Sequence, residues 1–392
     1  MTNDRFLLIK AYNYMLWADI DHVLGQLLIA ELTGRIPVVY WPTHCLNNGF
    51  VQTNGFELYF EPINSYTIFN LSNPIYTYYP PIWDSDNLLV DDRAKDTWTY
   101  RNVGNILGSK ANVVVGDVYY NVFELIPFIK KNHSVYGMTV EQVYRYLFNK
   151  YIRIKPDIDM EIQGYYNSWL KDCHPVLAVH VRRVDEETIF DTRDADKFDN
   201  QYWNKVYRKD GKENGKPDNP DNKVYRYLRK GRYKEPNKVY HKEIRKIIEK
   251  YNIKKMFLLT DCQKTVEEYI KMYGSIVVVT DCKRLSSDQE ISYMENAMIK
   301  RRRGIEVIKD AFIAAKCDFF IGNDFSHLSH GITRIKEWPS KNIKLLYWVH
   351  KRRKYPVNVK LVIRRDASRL LGIIKKIFGK LVPGKGGAED AK

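Results

Sequence analysis

The run His180-Val181-Arg182-Arg183-Val184-Asp185 puts an imidazole, two guanidinium groups and a carboxylate within six residues, directly after the apolar stretch 176–179. A guanidinium stays charged at any physiological pH and offers a planar fork of hydrogen-bond donors, so two of them at the end of a buried strand suit a phosphate. The chemistry indicated is recognition of a nucleotide-linked group. A solvated pair of arginines held by Asp185 is the alternative. The pattern repeats downstream: the apolar run 255–260 precedes Asp261, 275–280 precedes Asp281, and 317–322 leads through Asn323 and Asp324 to Ser326.

Helix-like segments separate these runs, so from residue 176 onward strand and helix alternate. That alternation is the signature of an open parallel sheet with helices on both faces. Ligands of such sheets bind beyond the carboxyl ends of the strands. The acids and hydroxyls at those ends therefore converge on one crevice. Upstream, the pattern predicts a helix over 19–33, strands at 36–41 and 111–115, and helices at 122–130 and 140–151. The irregular stretch 64–91 is long for a loop in a compact domain and carries Tyr76, Tyr78, Tyr79 and Trp83, which can stack on sugar faces or pack within the loop itself. The expected organisation is an α/β chain with a first domain over 1–165, a second over 166–350, and a basic tail over 351–392.

Of the 392 residues 44% are hydrophobic and 14% aromatic, enough for two domains with substantial cores and too much for a disordered chain. Five widely spaced cysteines include no Cys-x-x-Cys pair, which argues for reduced thiols, against a zinc site and for a cytoplasmic setting. No secretory signal or spanning run is expected. Residues 351–392 hold thirteen basic and three acidic residues, a net +10 of the chain's +16, which disfavours a general nucleic-acid surface on the globular body. Within 364–382, Leu370, Leu371, Ile373, Ile374, Ile377, Phe378 and Leu381 recur at helical spacing among Arg364, Arg365, Arg369, Lys375, Lys376 and Lys380. This describes either an amphipathic helix on an anionic membrane surface or a last helix packed back on the other domain. The segment 209–222 reads as a polar insertion near the crevice mouth.

The segments 179–185, 259–261, 304–311 and 318–326, taken in that order and spacing, resemble the successive motifs of the fucosyltransferase superfamily, which includes α1,6-, nodulation and protein O-fucosyltransferases. The stretch from Ala18 through Asp19, Asp21, His22 and Gly25 to Trp41 is similar to the first loop, helix and strand of the protein O-fucosyltransferases. Where that family has a glycine-rich loop with an asparagine near the reaction centre, this chain has Tyr14-Met-Leu-Trp17-Ala18, so the acceptor stays open.

The resemblance implies a GT-B fold of two Rossmann-like domains facing across a cleft, and an inverting, metal-independent transferase using GDP-fucose. The acceptor would be a glycan or lipid-linked glycan, in a microbial or viral pathway. Arg182 and Arg183 would stabilise charge growing on the β-phosphate, supported by His180. Ser326 would cap the following helix and contact a phosphate, and Asp310 with Asp261 would bind ribose, base or a supporting arginine. Candidates for the general base are Asp185, Glu186 and Glu187 beside the arginines, and Asp19, Asp21 and His22 across the cleft. The Asp-x-Asp triplets at Asp19, Asp157 and Asp194 do not follow strands, so no metal site is expected, and Arg301 to Arg303 read as a solvated helix face. The same scaffold with another sugar nucleotide, or a catalytically silent glycan-binding or membrane-scaffold protein, also fits the sequence.

Overall fold

A computed structural model describes residues 4–12, 15–42, 53–89, 98–182, 237–284, 297–324 and 326–346. The chain opens with β1 (Phe6–Ile9), α1 (Leu16–Thr33) and β2 (Ile36–Val39), then α2 (Ile68–Leu71), β3 (Tyr78–Tyr79), α3 (Val103–Gly108), β4 (Val113–Gly116), α4 (Val122–Leu125), α5 (Val140–Tyr151) and α6 (Pro156–Trp169). It continues through β5 (Val176–Val181), α7 (Asn237–Tyr251), β6 (Lys255–Thr260), α8 (Gln263–Tyr273), β7 (Val277–Val278), α9 (Ala297–Lys316), β8 (Phe319–Asn323), α10 (His327–Ile335) and β9 (Ile343–Leu346). Two parallel sheets result, ordered β2-β1-β4-β3 and β7-β6-β5-β8-β9. Two parallel α/β units in one chain are the plan of a GT-B protein.

Every residue of β5 and β8 is buried, which explains their unbroken apolar runs: helices cover both faces, so neither face needs polar side chains. Helix α1 is also buried on all sides, over residues 16–30, because it lies between the first sheet and helices of the second unit. It packs so closely that a Cβ on Gly25 would stand 2.0 Å from the Tyr120 carbonyl oxygen. Gly34, at φ 62°, ends the helix in the left-handed conformation that glycine adopts without steric cost.

The two units share one apolar core. Trp17 of α1 stacks on Phe148 of α5 at 6.4 Å, and Phe148 meets Phe312 of α9 at 6.1 Å. Gly331 of α10 lies against Trp17, where a Cβ would come within 2.3 Å of the indole. Along the flank, Arg301 pairs with Asp157 at 3.2 Å, and Arg302 and Lys309 pair with Glu161 at 2.8 and 3.4 Å. Arg301 and Arg302, expected on a solvated face, thus tie α9 to α6.

Local chemistry accounts for the departures from the sequence reading. The helix expected over 122–130 ends at Leu125 and continues as a 3-10 turn, Ile126–Phe128, because Pro127 has no amide hydrogen to give. The strand expected over 275–280 pairs only at Val277–Val278, the turn Gly274–Ile276 taking its start. Strands β1 and β9 and helix α6 were not foreseen. The tail, with its amphipathic pattern at 364–382, and the insertion 209–222 lie outside the described residues. Among the described residues no helix is long and apolar enough to cross a membrane.

Candidate functional site

In the second sheet, β5 stands between β6, the next strand in sequence, and β8, which the chain reaches only after β7. The order of strands therefore reverses between β5 and β8, and the crevice beyond their carboxyl ends is where such a sheet binds ligands. His180 lies near the end of β5 and Arg182 is the first residue past it, close enough for the guanidinium charge to act on the imidazole. The Arg182 Nε lies 3.6 Å from Asp261 Oδ2, beyond the end of neighbouring β6, with both side chains about a quarter exposed, at 26% and 29%. A guanidinium oriented by a carboxylate and still open to solvent can receive an anion.

His180 is buried and faces α10: its Nδ1 lies 2.8 Å from Ser329 Oγ, which accepts the Asn323 amide at 2.9 Å. Burial pushes the imidazole pKa down to about 3, and the Arg182 charge adds to the effect, so the ring is neutral. Ser326 occupies the N-cap position of α10 in extended conformation, but its side chain accepts no helix amide. The expected capping bond is absent, and the turn is held instead by the Ser326 amide donating to the Asn323 carbonyl at 3.1 Å.

Asp310, buried on α9, accepts from the Thr280 hydroxyl at 2.7 Å, just past β7. Desolvation raises its pKa to about 6, opposed by that hydrogen bond and by Arg284, which itself donates to the Thr280 carbonyl at 2.9 Å. Arg183, Asp185, Glu186 and Glu187 lie outside the described residues.

The first sheet has its own reversal, between β1 and β4, and polar residues gather at that edge too. Asp117, just past β4, accepts two hydrogen bonds from Arg101 at 2.8 Å and one from the Trp83 indole at 2.7 Å. Lys10, just past β1, donates to the Leu88 carbonyl at 2.7 Å with its ammonium 4.4 Å from the Trp83 ring. Asp19 is fully buried and accepts the Tyr12 amide. His22, also fully buried, donates from Nε2 to the Lys10 carbonyl at 3.0 Å, and desolvation lowers its pKa despite nearby Asp19.

Asp19 and His22 are thus enclosed by the packing around α1. Asp21 accepts from His327 at 2.6 Å and from Arg334, whose guanidinium stacks on Tyr144 at 3.6 Å; it joins α1 to α10. The loop aromatics are committed to the protein as well: the Tyr78 hydroxyl lies 2.8 Å from both the Leu71 and Asn73 carbonyls, which share its one hydrogen, and the Tyr79 hydroxyl donates to the Tyr100 carbonyl.

Sequence reasoning missed Lys10 and Asp117, although each follows a short apolar run as Arg182 and Asp261 do. It also missed Arg101, Thr280, Arg284, Ser329 and Arg334.

No family model matches the sequence, and no curated protein sequence does. Among solved structures, the chain is similar to the NodZ α-1,6-fucosyltransferase soaked with GDP-fucose, at 16% identity over 85% of this chain and 92% of that one, with a TM-score of 0.49. It is similar to fucosyltransferase NodZ from Bradyrhizobium, at 16% identity over 84% and 92% of the two chains and a TM-score of 0.48. It is also similar to POFUT1 in complex with GDP-fucose, at 13% identity over 88% and 99%, with a TM-score of 0.44.

Proposed function

We propose that this protein is a glycosyltransferase that moves a sugar from a nucleoside diphosphate to a hydroxyl, with the diphosphate held at the carboxyl edge of β5 and β8. The observation that carries the reading is the group at that edge: Arg182 set beside Asp261 at 3.6 Å, and neutral His180 anchored to Ser329 at 2.8 Å where α10 begins. As the bond between the anomeric carbon and the diphosphate breaks, negative charge grows on the leaving phosphate. A guanidinium already oriented there stabilises the transition state more than the ground state.

The motif resemblance in residues 179–326 supports GDP-fucose as donor substrate, inversion at the anomeric carbon and independence of metal. Asp185, Glu186 and Glu187, close in sequence to Arg182, are the candidates for the base that removes the acceptor proton, because Asp19 and His22 are buried and Asp21 is paired. The first unit holds the acceptor, a glycan or lipid-linked glycan. The basic pattern at 364–382 keeps the enzyme on the cytoplasmic face of an anionic membrane.

The test is release of nucleotide by the purified full chain from GDP-fucose and from UDP- and dTDP-sugars, with oligosaccharides or water as acceptor. Turnover of GDP-fucose should fall by about 100-fold or more in Arg182→Ala with the fold retained. Equal turnover by the variant would refute the reading, and turnover of a UDP- or dTDP-sugar alone would replace the donor substrate.

A further inference from the structure

We propose that Ser329 is a positioning residue that fixes His180 in the Nε2–H tautomer, so that the imidazole presents an N–H to a phosphate oxygen of the nucleotide beside Arg182. The proposal rests on the donor-site reading for the phosphate and on hydrogen-bond geometry alone for the tautomer.

Ser329 is fully buried. Its oxygen accepts the Asn323 amide at 2.9 Å and lies 2.8 Å from His180 Nδ1. A hydroxyl has one hydrogen to give. If His180 carried its proton on Nδ1, the serine oxygen would accept twice and its own hydrogen would need a third partner, yet no other hydrogen bond of Ser329 is found among the described residues. Leaving a buried hydroxyl hydrogen unmatched is destabilising. With the serine donating to Nδ1 instead, the serine oxygen, its hydrogen and Nδ1 are all matched among the described residues, and the Nε2–H is left to find an acceptor outside them. Burial keeps the imidazole singly protonated, so its one proton sits on Nε2.

The backbone makes room for this arrangement. A Cβ on Gly322 would lie 2.7 Å from Ser329 Oγ, so the glycine in β8 lets the hydroxyl sit where both Asn323 N and His180 Nδ1 are in reach. His180 at the end of β5 and Arg182 just past it then form a pair of N–H donors, one neutral and one charged, suited to adjacent oxygens of a diphosphate.

The tautomer is read directly by long-range proton–nitrogen correlation spectra of the full chain labelled with 15N-histidine, the His180 signals being assigned with His180→Gln. Wild type should show the Nε2–H pattern, and an Nδ1–H pattern would overturn the proposal without any variant. Ser329→Ala should shift the ring toward the other tautomer and weaken GDP binding by about tenfold, or about 1.4 kcal/mol. Ser329→Thr, which restores a hydroxyl, should recover the tautomer. A Ser329→Ala protein that is folded, keeps the wild-type ring pattern and binds GDP as before would also overturn it. If wild type binds no nucleoside diphosphate, the phosphate partner falls together with the proposed function, while the spectra still decide the role of Ser329.

Discussion

Asp310 and His180 are both buried titratable groups in the second unit, and desolvation moves their pKa values in opposite directions because it disfavours the charged form of each. For Asp310 the folded value, about 6, lies above the ordinary 3.8. The folded chain therefore holds a proton that the unfolded chain releases, and stability present below about pH 4 is lost as pH rises through about 6. In urea titrations, wild type should lose up to about 3 kcal/mol between pH 4 and 7 relative to Asp310→Asn; parallel pH profiles would contradict this assignment. What was legible at this scale followed from strand ends. Arg182 and Asp261 close long apolar runs, and the rule for parallel sheets places such residues together. Ser329 and Arg334 were not legible, since their partners His180 and Asp21 are 149 and 313 residues away and no local spacing encodes such a pair.

Helices α1 and α10 meet between the two units, where Asp21 accepts hydrogen bonds from His327 and Arg334 and Gly331 lies against Trp17. Replacing Asp21 by Asn would leave the buried Arg334 with only the 3.7 Å approach of Glu141, and breaking a buried pair from one side costs up to about 3–5 kcal/mol. Denaturant unfolding should show that loss in Asp21→Asn, with part of it recovered in the double variant Asp21→Asn, Arg334→Met. A loss below about 1 kcal/mol, as for a solvated surface pair, would mean that this contact does not hold the units together. Gly331→Ala should cost about 1–3 kcal/mol, because its methyl group would have to displace the Trp17 indole. Helix α5 was legible over its full span, since its apolar residues fall on one face and Thr139 with Gln142 forms a capping box. Strands β1 and β9, four residues each, are too short to show a period, and α6 buries only Ile158 and Ile162, too few to mark a helix.

At the scale of the whole molecule, two parallel sheets share a core, polar residues gather at one edge of each, and most of the excess positive charge, +10 of +16, lies beyond residue 350. The α/β class and the second sheet could be read from the alternation of long apolar runs with helical spacing. The first sheet was half hidden, because its strands are short and a long irregular stretch separates β2 from β4. Removing residues 370–392 should release the protein from vesicles containing anionic lipid, as followed by sedimentation, and unchanged binding would rule out a membrane role for the tail. Chelation with EDTA should leave sugar transfer unaltered if Arg182 stabilises the leaving diphosphate without a metal ion. The central claim is that a nucleoside diphosphate is gripped at the β5 and β8 edge by Arg182. It is met most directly by calorimetric titration of GDP into the full-length wild type and Arg182→Ala side by side. Saturable binding by wild type that weakens by about 2 kcal/mol or more in the variant is the expected result; equal affinity in the two proteins, or none in wild type, would contradict it.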